Sequence, residues 1–238
     1  MNTPNNPSTV RISYFTDILC VWAYIGQVRI DELRRTFAEQ VALEYRFTPI
    51  FGAPQHKIGV KWQDRGGFEG YSKHVQKVCE NFPHIKVNEK TWSECRPTSS
   101  AVCHQYAKAV QNLEISGQVS DQGMPDFSGR SVFEELIWRM RLAFFRDARD
   151  ISRINMLGEL ARELSLPVND INNEIASGRA MAEMCRDNEL SEEYRIEGSP
   201  TLVLNEGRQK LYGNIGYRII EANVKEVLKN PNPQVTWC

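Results

Sequence analysis

Two patterns of hydrophobic residues run along the chain, and the first predicts β-strands near both ends. Val10 to Phe15 forms a strand-like run, and apolar residues alternate with other residues from Val41 to Phe47. Near the other end, Thr201 to Leu204 is a β-branched and aliphatic run of the kind found in buried strands. The turn residues 205–207 separate it from a shorter run, Lys210 to Tyr212. These two runs therefore predict a hairpin.

The second pattern is helical and fills the long stretch between the strands, from the end of the alternating run to about Glu197. Turn residues from Gly117 to Gly129 separate its first two amphipathic helices. A further amphipathic helix is predicted from about Tyr217, after the hairpin. The apolar positions at helical spacing are Val102, Tyr106, Ala109, Val110 and Leu113; Phe133, Ile137, Met140 and Phe144; Ile154, Leu157, Ala161 and Leu164; and Ile220, Val224, Val227 and Leu228.

Cys20 lies directly after the first strand, at the predicted start of a helix. A helix N-terminus presents unpaired N–H groups and a partial positive charge, and both favour the thiolate, which is the reactive form. We therefore expect Cys20 to be exposed in a cleft, to be the most reactive thiol, and to have a pKa below the free value of about 8.5. The alternative is a buried cysteine that acts as a small hydrophobic residue.

The order strand, cysteine, helix, strand, then proline, strand, hairpin and helix is that of a thioredoxin fold. The segment 17–26, Asp-Ile-Leu-Cys-Val-Trp-Ala-Tyr-Ile-Gly, resembles the Asp-x-x-Cys-Pro-Trp-Cys-Tyr-Ile-Gly motif of the DsbA-like thioredoxin superfamily. Within that superfamily it resembles the branch of FrnE-like oxidoreductases, kappa-class glutathione transferases and hydroxychromene-carboxylate isomerases. The segment 198–201, Gly-Ser-Pro-Thr, resembles the cis-proline loop of the same branch. Val21 replaces the usual proline and Ala23 the usual second cysteine.

This resemblance implies an α/β protein: a thioredoxin fold with an inserted all-helical subdomain between the second and third strands. Residues 1–50 and 197–238 would form the thioredoxin-like domain. Residues 51–196 would form the inserted subdomain, which would be one wall of a cleft above Cys20.

The resemblance also implies the residues of the site. Cys20 would be catalytic, and Trp22, Ala23, Ser199 and Pro200 would bind the substrate or glutathione. We expect Pro200 to be cis and Ser199 to face Cys20. The backbone of Ser199 would then pair with an extended peptide-like substrate, and glutathione is a short peptide.

Ala23 limits the reactions that the site can carry out. A second cysteine at this position would attack a mixed disulfide on Cys20, and alanine has no thiol to do so. Three functions stay open. The first is a monothiol thiol-disulfide oxidoreductase that works with glutathione, and the second is a glutathione-dependent transferase or isomerase of small electrophiles. The third is a non-catalytic thioredoxin-fold binding module. The transferase branch usually carries serine at position 20, so the cysteine favours the oxidoreductase. We expect no tightly bound cofactor, with glutathione as a co-substrate.

Charge and hydropathy limit the partners of the chain. The net charge of the 238 residues is −1 and the basic residues are scattered, which argues against binding of nucleic acids. No apolar run reaches the length of a membrane span, and residues 1–9 lack the apolar core of a secretory signal. We therefore expect a cytoplasmic protein with small-molecule or peptide thiols and disulfides as substrates, and the sequence leaves a homodimer open.

The remaining cysteines and a group of aromatic residues give further predictions. Cys79, Cys95, Cys103 and Cys185 are scattered, so reduced structural thiols are expected, and no metal site is predicted because the cysteines and histidines lack zinc-ligand spacing. Cys238 ends a proline-rich tail and either reaches another thiol or is incidental. The aromatic residues Trp62, Phe68 and Tyr71 fall in a predicted glycine-rich loop, and they either line a substrate pocket or pack beneath this loop.

Overall fold

A computed structural model describes residues 9–229 and contains four strands and eight α-helices in that range. Cys238 and the proline-rich tail, and the first eight residues, lie outside the described residues. The strands are β1 (Val10–Thr16), β2 (Val41–Phe47), β3 (Thr201–Leu204) and β4 (Gln209–Tyr212). The helices are α1 (Val21–Phe37), α2 (Gly67–Cys79), α3 (Ala101–Ile115), α4 (Val132–Phe145), α5 (Ile154–Glu163), α6 (Val168–Ala176), α7 (Arg179–Glu193) and α8 (Tyr217–Lys229).

The strands form one mixed sheet in the order β2-β1-β3-β4. β1 and β2 are parallel, whereas β3 runs antiparallel to both β1 and β4. The predicted hairpin is therefore confirmed, and so is the α/β fold with helices inserted between the second and third strands. The division into domains at residues 50 and 197 stays a prediction. Within residues 9–229, none of the helices is both long and apolar enough to cross a membrane.

The helix α2 lies where the sequence predicts a glycine-rich loop, around Phe68 and Tyr71, and α6 and α7 are two further helices that the sequence does not place individually. Both residues lie in α2, which begins after Gly66 and Gly67, two glycines with positive φ. Gly70 is required in its first turn, because a Cβ atom there would lie 1.8 Å from the carbonyl oxygen of Arg65. Glycines that start the helix were thus mistaken for a loop.

A buried ion pair joins the helical insertion to the sheet. The ammonium group of Lys108 on α3 lies 2.7 Å from the carboxylate of Asp187 on α7, and both side chains are almost fully buried. Asp187 also accepts a hydrogen bond of 2.7 Å from the N–H of Phe47, and Lys108 donates one of 3.2 Å to the carbonyl of Tyr45. These contacts hold both helices against the outer edge of β2.

Candidate active site

Cys20 is the residue that immediately precedes α1, and its thiol faces the loop before β3. The Cys20 thiol donates a hydrogen bond of 3.1 Å to the carbonyl oxygen of Ser199. The peptide bond between Ser199 and Pro200 is cis. The predicted cis proline and the predicted approach of Ser199 to Cys20 are therefore both confirmed, although these residues are 179 positions apart in the sequence.

The expected exposure and the expected low pKa of Cys20 are both wrong. Only 4% of Cys20 is exposed, and this burial raises the pKa of the thiol above its ordinary value. The hydroxyl group of Ser199 and the backbone N–H groups of Ala23 and Trp22 act in the opposite direction, because they stabilise a thiolate, whereas the charge of Asp17 raises the pKa further. Desolvation outweighs the helix N-terminus here, so the resting site favours the neutral thiol.

A buried carboxylate organises the turn that carries Cys20. Asp17 is fully buried and accepts hydrogen bonds from the N–H groups of Leu19 and Phe51, at 2.8 and 2.7 Å. It also accepts one of 2.9 Å from the hydroxyl of Ser100, the residue before α3. The N–H of Asp17 itself donates to the side-chain oxygen of Ser199 at 2.8 Å. Asp17 thus ties the Cys20 turn to the insertion and to the cis-proline loop.

His104 lies beside this carboxylate on α3. Its Nε2 atom accepts a hydrogen bond of 3.1 Å from the N–H of Ile18 and lies 3.4 Å from a carboxylate oxygen of Asp17. Its ring is fully buried and stacks on Phe47 with the centroids 5.1 Å apart. The Nδ1 atom is buried without a hydrogen-bond partner among the described residues.

Aromatic residues of the insertion pack close to Cys20. Tyr71 is partly buried; burial raises its pKa, and the nearby charges of Cys20 and Asp17 raise it further. The rings of Trp62 and Tyr71 meet edge to face at 4.8 Å, whereas Phe68 is buried against Trp92. Phe68 is thus a packing residue, and Trp62 and Tyr71 remain partly exposed near the site.

The five residues predicted for the site lie close together, but the side chains of Trp22 and Ala23 differ in exposure. The thiol of Cys20 and the backbone groups of Trp22, Ala23 and Ser199 come together, with Pro200 next to Ser199. The side chain of Ala23 is fully buried, whereas the indole of Trp22 is partly exposed and meets Phe82 edge to face at 6.3 Å.

The sequence predicts no role for Asp17, Ser100 or His104. Asp17 lies inside the motif of residues 17–26, which is the only sequence signal for it. Ser100 and His104 lie 80 and 84 residues after Cys20 in the sequence, and only the fold brings them together with Asp17.

The other cysteines lie apart from this cluster or are buried. The structure describes Cys79, Cys95, Cys103 and Cys185 as free thiols, and of these Cys185 is exposed. Burial raises the pKa of Cys79 to about 11 and that of Cys95 to about 12. Among the described residues, no group of three histidine, cysteine, aspartate or glutamate side chains is arranged to hold a metal ion.

Comparison with known proteins gives structural neighbours only. No family model matches the chain, and no curated protein matches its sequence. A candidate protein disulfide isomerase from Nitrosomonas europaea superposes with a TM-score of 0.68 at 15% identity, over 94% of this chain and 100% of its own.

Two further structural neighbours are a disulfide reductase and an isomerase. The cytosolic disulfide reductase DsbM from Pseudomonas aeruginosa has a TM-score of 0.63 at 16% identity, over 90% of this chain and 98% of its own, and a second DsbM structure contains GSH. The 2-hydroxychromene-2-carboxylate isomerase has a TM-score of 0.60 at 11% identity, over 93% of this chain and 97% of its own. The chain therefore has the DsbA-like thioredoxin fold with a helical insertion.

Proposed function

We propose that the protein is a monothiol thiol-disulfide oxidoreductase that works with glutathione and uses Cys20 as its nucleophile. The observation that carries this proposal is the 3.1 Å contact between the Cys20 thiol and the carbonyl of Ser199, beside the cis proline. The Cys20 thiol thus lies next to the cis-proline loop, and the backbone of such a loop can pair with a peptide. The DsbM structure that contains GSH has the same fold and supports the choice of glutathione.

The proposed reaction has two exchange steps. In the first, the Cys20 thiolate attacks the glutathione sulfur of a mixed disulfide, so that a bond forms between Cys20 and glutathione and the substrate leaves as a thiolate. In the second, the thiolate of another glutathione attacks the glutathione sulfur on Cys20. Oxidised glutathione is released and Cys20 returns to the thiolate. Over both steps, the mixed disulfide and one glutathione thiol are converted into the free substrate thiol and one molecule of oxidised glutathione.

Three donors around the sulfur would stabilise the thiolate during this exchange. They are the hydroxyl group of Ser199 and the backbone N–H groups of Trp22 and Ala23, each of which lowers the pKa of Cys20 against the effect of burial. When the thiol loses its proton it can no longer donate to the Ser199 carbonyl, so that contact favours the resting thiol. The site therefore keeps Cys20 protonated at rest and offers donors to the thiolate when it forms.

Intact-mass measurement after incubation with oxidised glutathione tests this proposal. We expect the native protein to gain one glutathionyl group on Cys20, located by peptide mapping, and Cys20→Ser to lose that adduct. Cys185→Ser is the matched control, because it removes the exposed thiol and should leave the Cys20 adduct unchanged. An adduct confined to Cys185 would contradict the proposal.

A glutathione-dependent transferase or isomerase is the second candidate, and the burial of Cys20 favours it. A neutral thiol can donate a hydrogen bond to a bound glutathione thiolate, which then acts as the nucleophile in place of Cys20. In that case Cys20→Ser should keep much of the rate of glutathione conjugation to a small aryl halide. Under the first proposal the same variant should lose the exchange activity. Inactivity of the native protein in both assays would favour a binding module.

A further inference from the structure

A cavity of about 570 Å³ lies at the far end of α1 from Cys20. Its walls come from the last turns of α1, the first residues of β2, α3, and the segment 121–134, and we call it the edge cavity. Arg34 lies 14 positions after Cys20, and an α-helix rises about 1.5 Å per residue, so the two sites are roughly 20 Å apart. The volume falls in the range of about 300–1,000 Å³ that is typical of ligand sites.

The edge cavity opens onto an unpaired part of the sheet, because β2 is an outer strand. The N–H of Thr48 bonds to Thr16, which continues the β1 pairing just beyond the strand. Backbone groups alternate sides along a strand, so the groups of Val41, Leu43, Tyr45 and Phe47 point outward. The outward bonds of the Tyr45 carbonyl and the Phe47 N–H to side chains agree with this assignment.

Side chains form hydrogen bonds with the outward backbone groups of β2 only near its C-terminal end. Lys108 and Asp187 occupy the Tyr45 carbonyl and the Phe47 N–H. The N–H of Val41 donates to the carbonyl of Ala38. Within residues 9–229, the N–H and C=O of Leu43 have no partner on this side. The unpaired backbone therefore coincides with the wall of the edge cavity.

The charges on the cavity wall are unbalanced. Each arginine of the wall is paired: Arg34 with Glu134, Arg130 with Asp31 at 2.8 Å, and Arg35 with Glu32 at 2.7 Å. Three wall carboxylates, Glu39, Glu114 and Asp121, form no salt bridge with Lys or Arg within the described part of the chain, although the charge of Arg34 acts on Glu114.

Glu114 shows this surplus of negative charge most clearly. Its Oε1 atom is buried without a hydrogen-bond partner among residues 9–229. Burial raises the pKa of Glu114, and the nearby carboxylate of Asp121 also raises it, whereas a hydrogen bond with the side chain of Ser131 and the charge of Arg34 lower it. A cation placed between Glu114 and Asp121 would relieve their repulsion and give the buried Oε1 atom of Glu114 a partner.

We propose that the edge cavity binds an extended basic peptide segment of a partner protein, which adds a short strand beside Leu43 and places a Lys or Arg side chain between Glu114 and Asp121. Backbone pairing with Leu43 provides the alignment, as in other cases of strand addition. The apolar side chains of Val41, Leu43 and Phe133 line the same cavity and provide a surface for the alternate side chains of the peptide. This site is separate from Cys20 and does not depend on its chemistry.

Fluorescence polarisation with a labelled heptapeptide of alternating valine and lysine tests the proposal on the full chain. We expect saturable binding that weakens as salt is raised. The double variant Glu114→Gln/Asp121→Asn should lower the affinity about tenfold, since two partly exposed charge pairs together contribute about that factor. Glu163→Gln/Asp170→Asn removes two exposed carboxylates on other helices and should bind as the native protein does. Cys20→Ser should also bind normally.

Two further probes separate strand addition from simple attraction of cations. A heptapeptide in which alternate residues are N-methylated keeps its charge but cannot pair with Leu43, and it should bind at least tenfold more weakly. Spermidine should compete poorly with the parent peptide. The proposal is overturned if the N-methylated peptide binds as tightly as its parent, if spermidine displaces the peptide efficiently, or if the control variant loses as much affinity as Glu114→Gln/Asp121→Asn. Loss of binding in Cys20→Ser would place the peptide at the thiol site and would also overturn it.

Discussion

Replacement of Asp17 by asparagine should change the stability of the protein and the acidity of Cys20 in opposite senses. The change keeps the shape of the side chain but removes its charge. One oxygen remains to accept from Leu19, and the hydroxyl of Ser100 can turn to accept from the new amide. The N–H of Phe51, now 2.7 Å from a carboxylate oxygen, would face an NH₂ group and lose its acceptor.

The loss of that one contact sets the size of the effect. Hydrogen bonds to charged groups contribute about 1.5–3 kcal/mol, so we expect the free energy of unfolding to fall by about that amount. The pKa of Cys20 should fall as well, because the charge of Asp17 is one of the causes that raise it. The variant should therefore be less stable and yet have a more acidic thiol.

Urea denaturation and pH-dependent alkylation measure the two effects. The rate of iodoacetamide labelling at Cys20, followed by peptide mass spectrometry, gives the pKa of the thiol. Asp170→Asn, an exposed carboxylate in the first turn of α6, is the control: it should leave the pKa of Cys20 unchanged and lower the free energy of unfolding by less than about 1 kcal/mol. A folded Asp17→Asn protein in which the pKa of Cys20 is unchanged or higher would refute the reasoning, and so would unchanged stability.

Three other results are expected from the same geometry. Because burial raises the pKa of Cys20, the glutathione exchange rate should still be rising with pH at about 8.5, where a free thiol is half ionised; a plateau near neutral pH would contradict this. Ala23→Cys should raise insulin reduction, followed by turbidity, because it restores a resolving thiol, whereas Ala23→Ser should not; efficient reduction by the native protein would argue against a monothiol site. Lys108→Met should lower the free energy of unfolding by about 3–5 kcal/mol in urea titrations, since it leaves the buried charge of Asp187 with a weaker partner; a loss below about 1 kcal/mol would show that Arg46, at 3.3 Å, compensates.

The sequence was informative where local pattern determines structure. The alternation of apolar residues with other residues predicts the strand Val41–Phe47. The proline before the aliphatic run 201–204 predicts the loop that faces Cys20. Both signals depend on neighbouring residues alone. The helix α2 was missed because Gly66, Gly67 and Gly70 carry helix-breaking propensities, whereas their backbone conformation and close packing allow the helix to begin there.

The state of Cys20 could not be predicted in the same way. Its place before α1 was correct, but a low pKa also requires solvent or compensating charge. The burial of the thiol and its contact with Ser199 depend on parts of the chain that are distant in the sequence. Sequence position identifies the candidate thiol, and the surrounding tertiary structure determines how acidic it is.

The hydrogen bonds of Asp17 mean that the turn before α1 is held partly from outside the thioredoxin-like part of the chain. Its partners Phe51 and Ser100 both belong to the insertion. A shortened protein that kept the four strands and discarded residues 51–196 would lose two of the three donors that fix this carboxylate. In protein engineering, the insertion and the turn that carries Cys20 therefore have to be transferred together. A substitute insertion would need to supply its own hydrogen-bond donors to Asp17 in order to hold Cys20 in position.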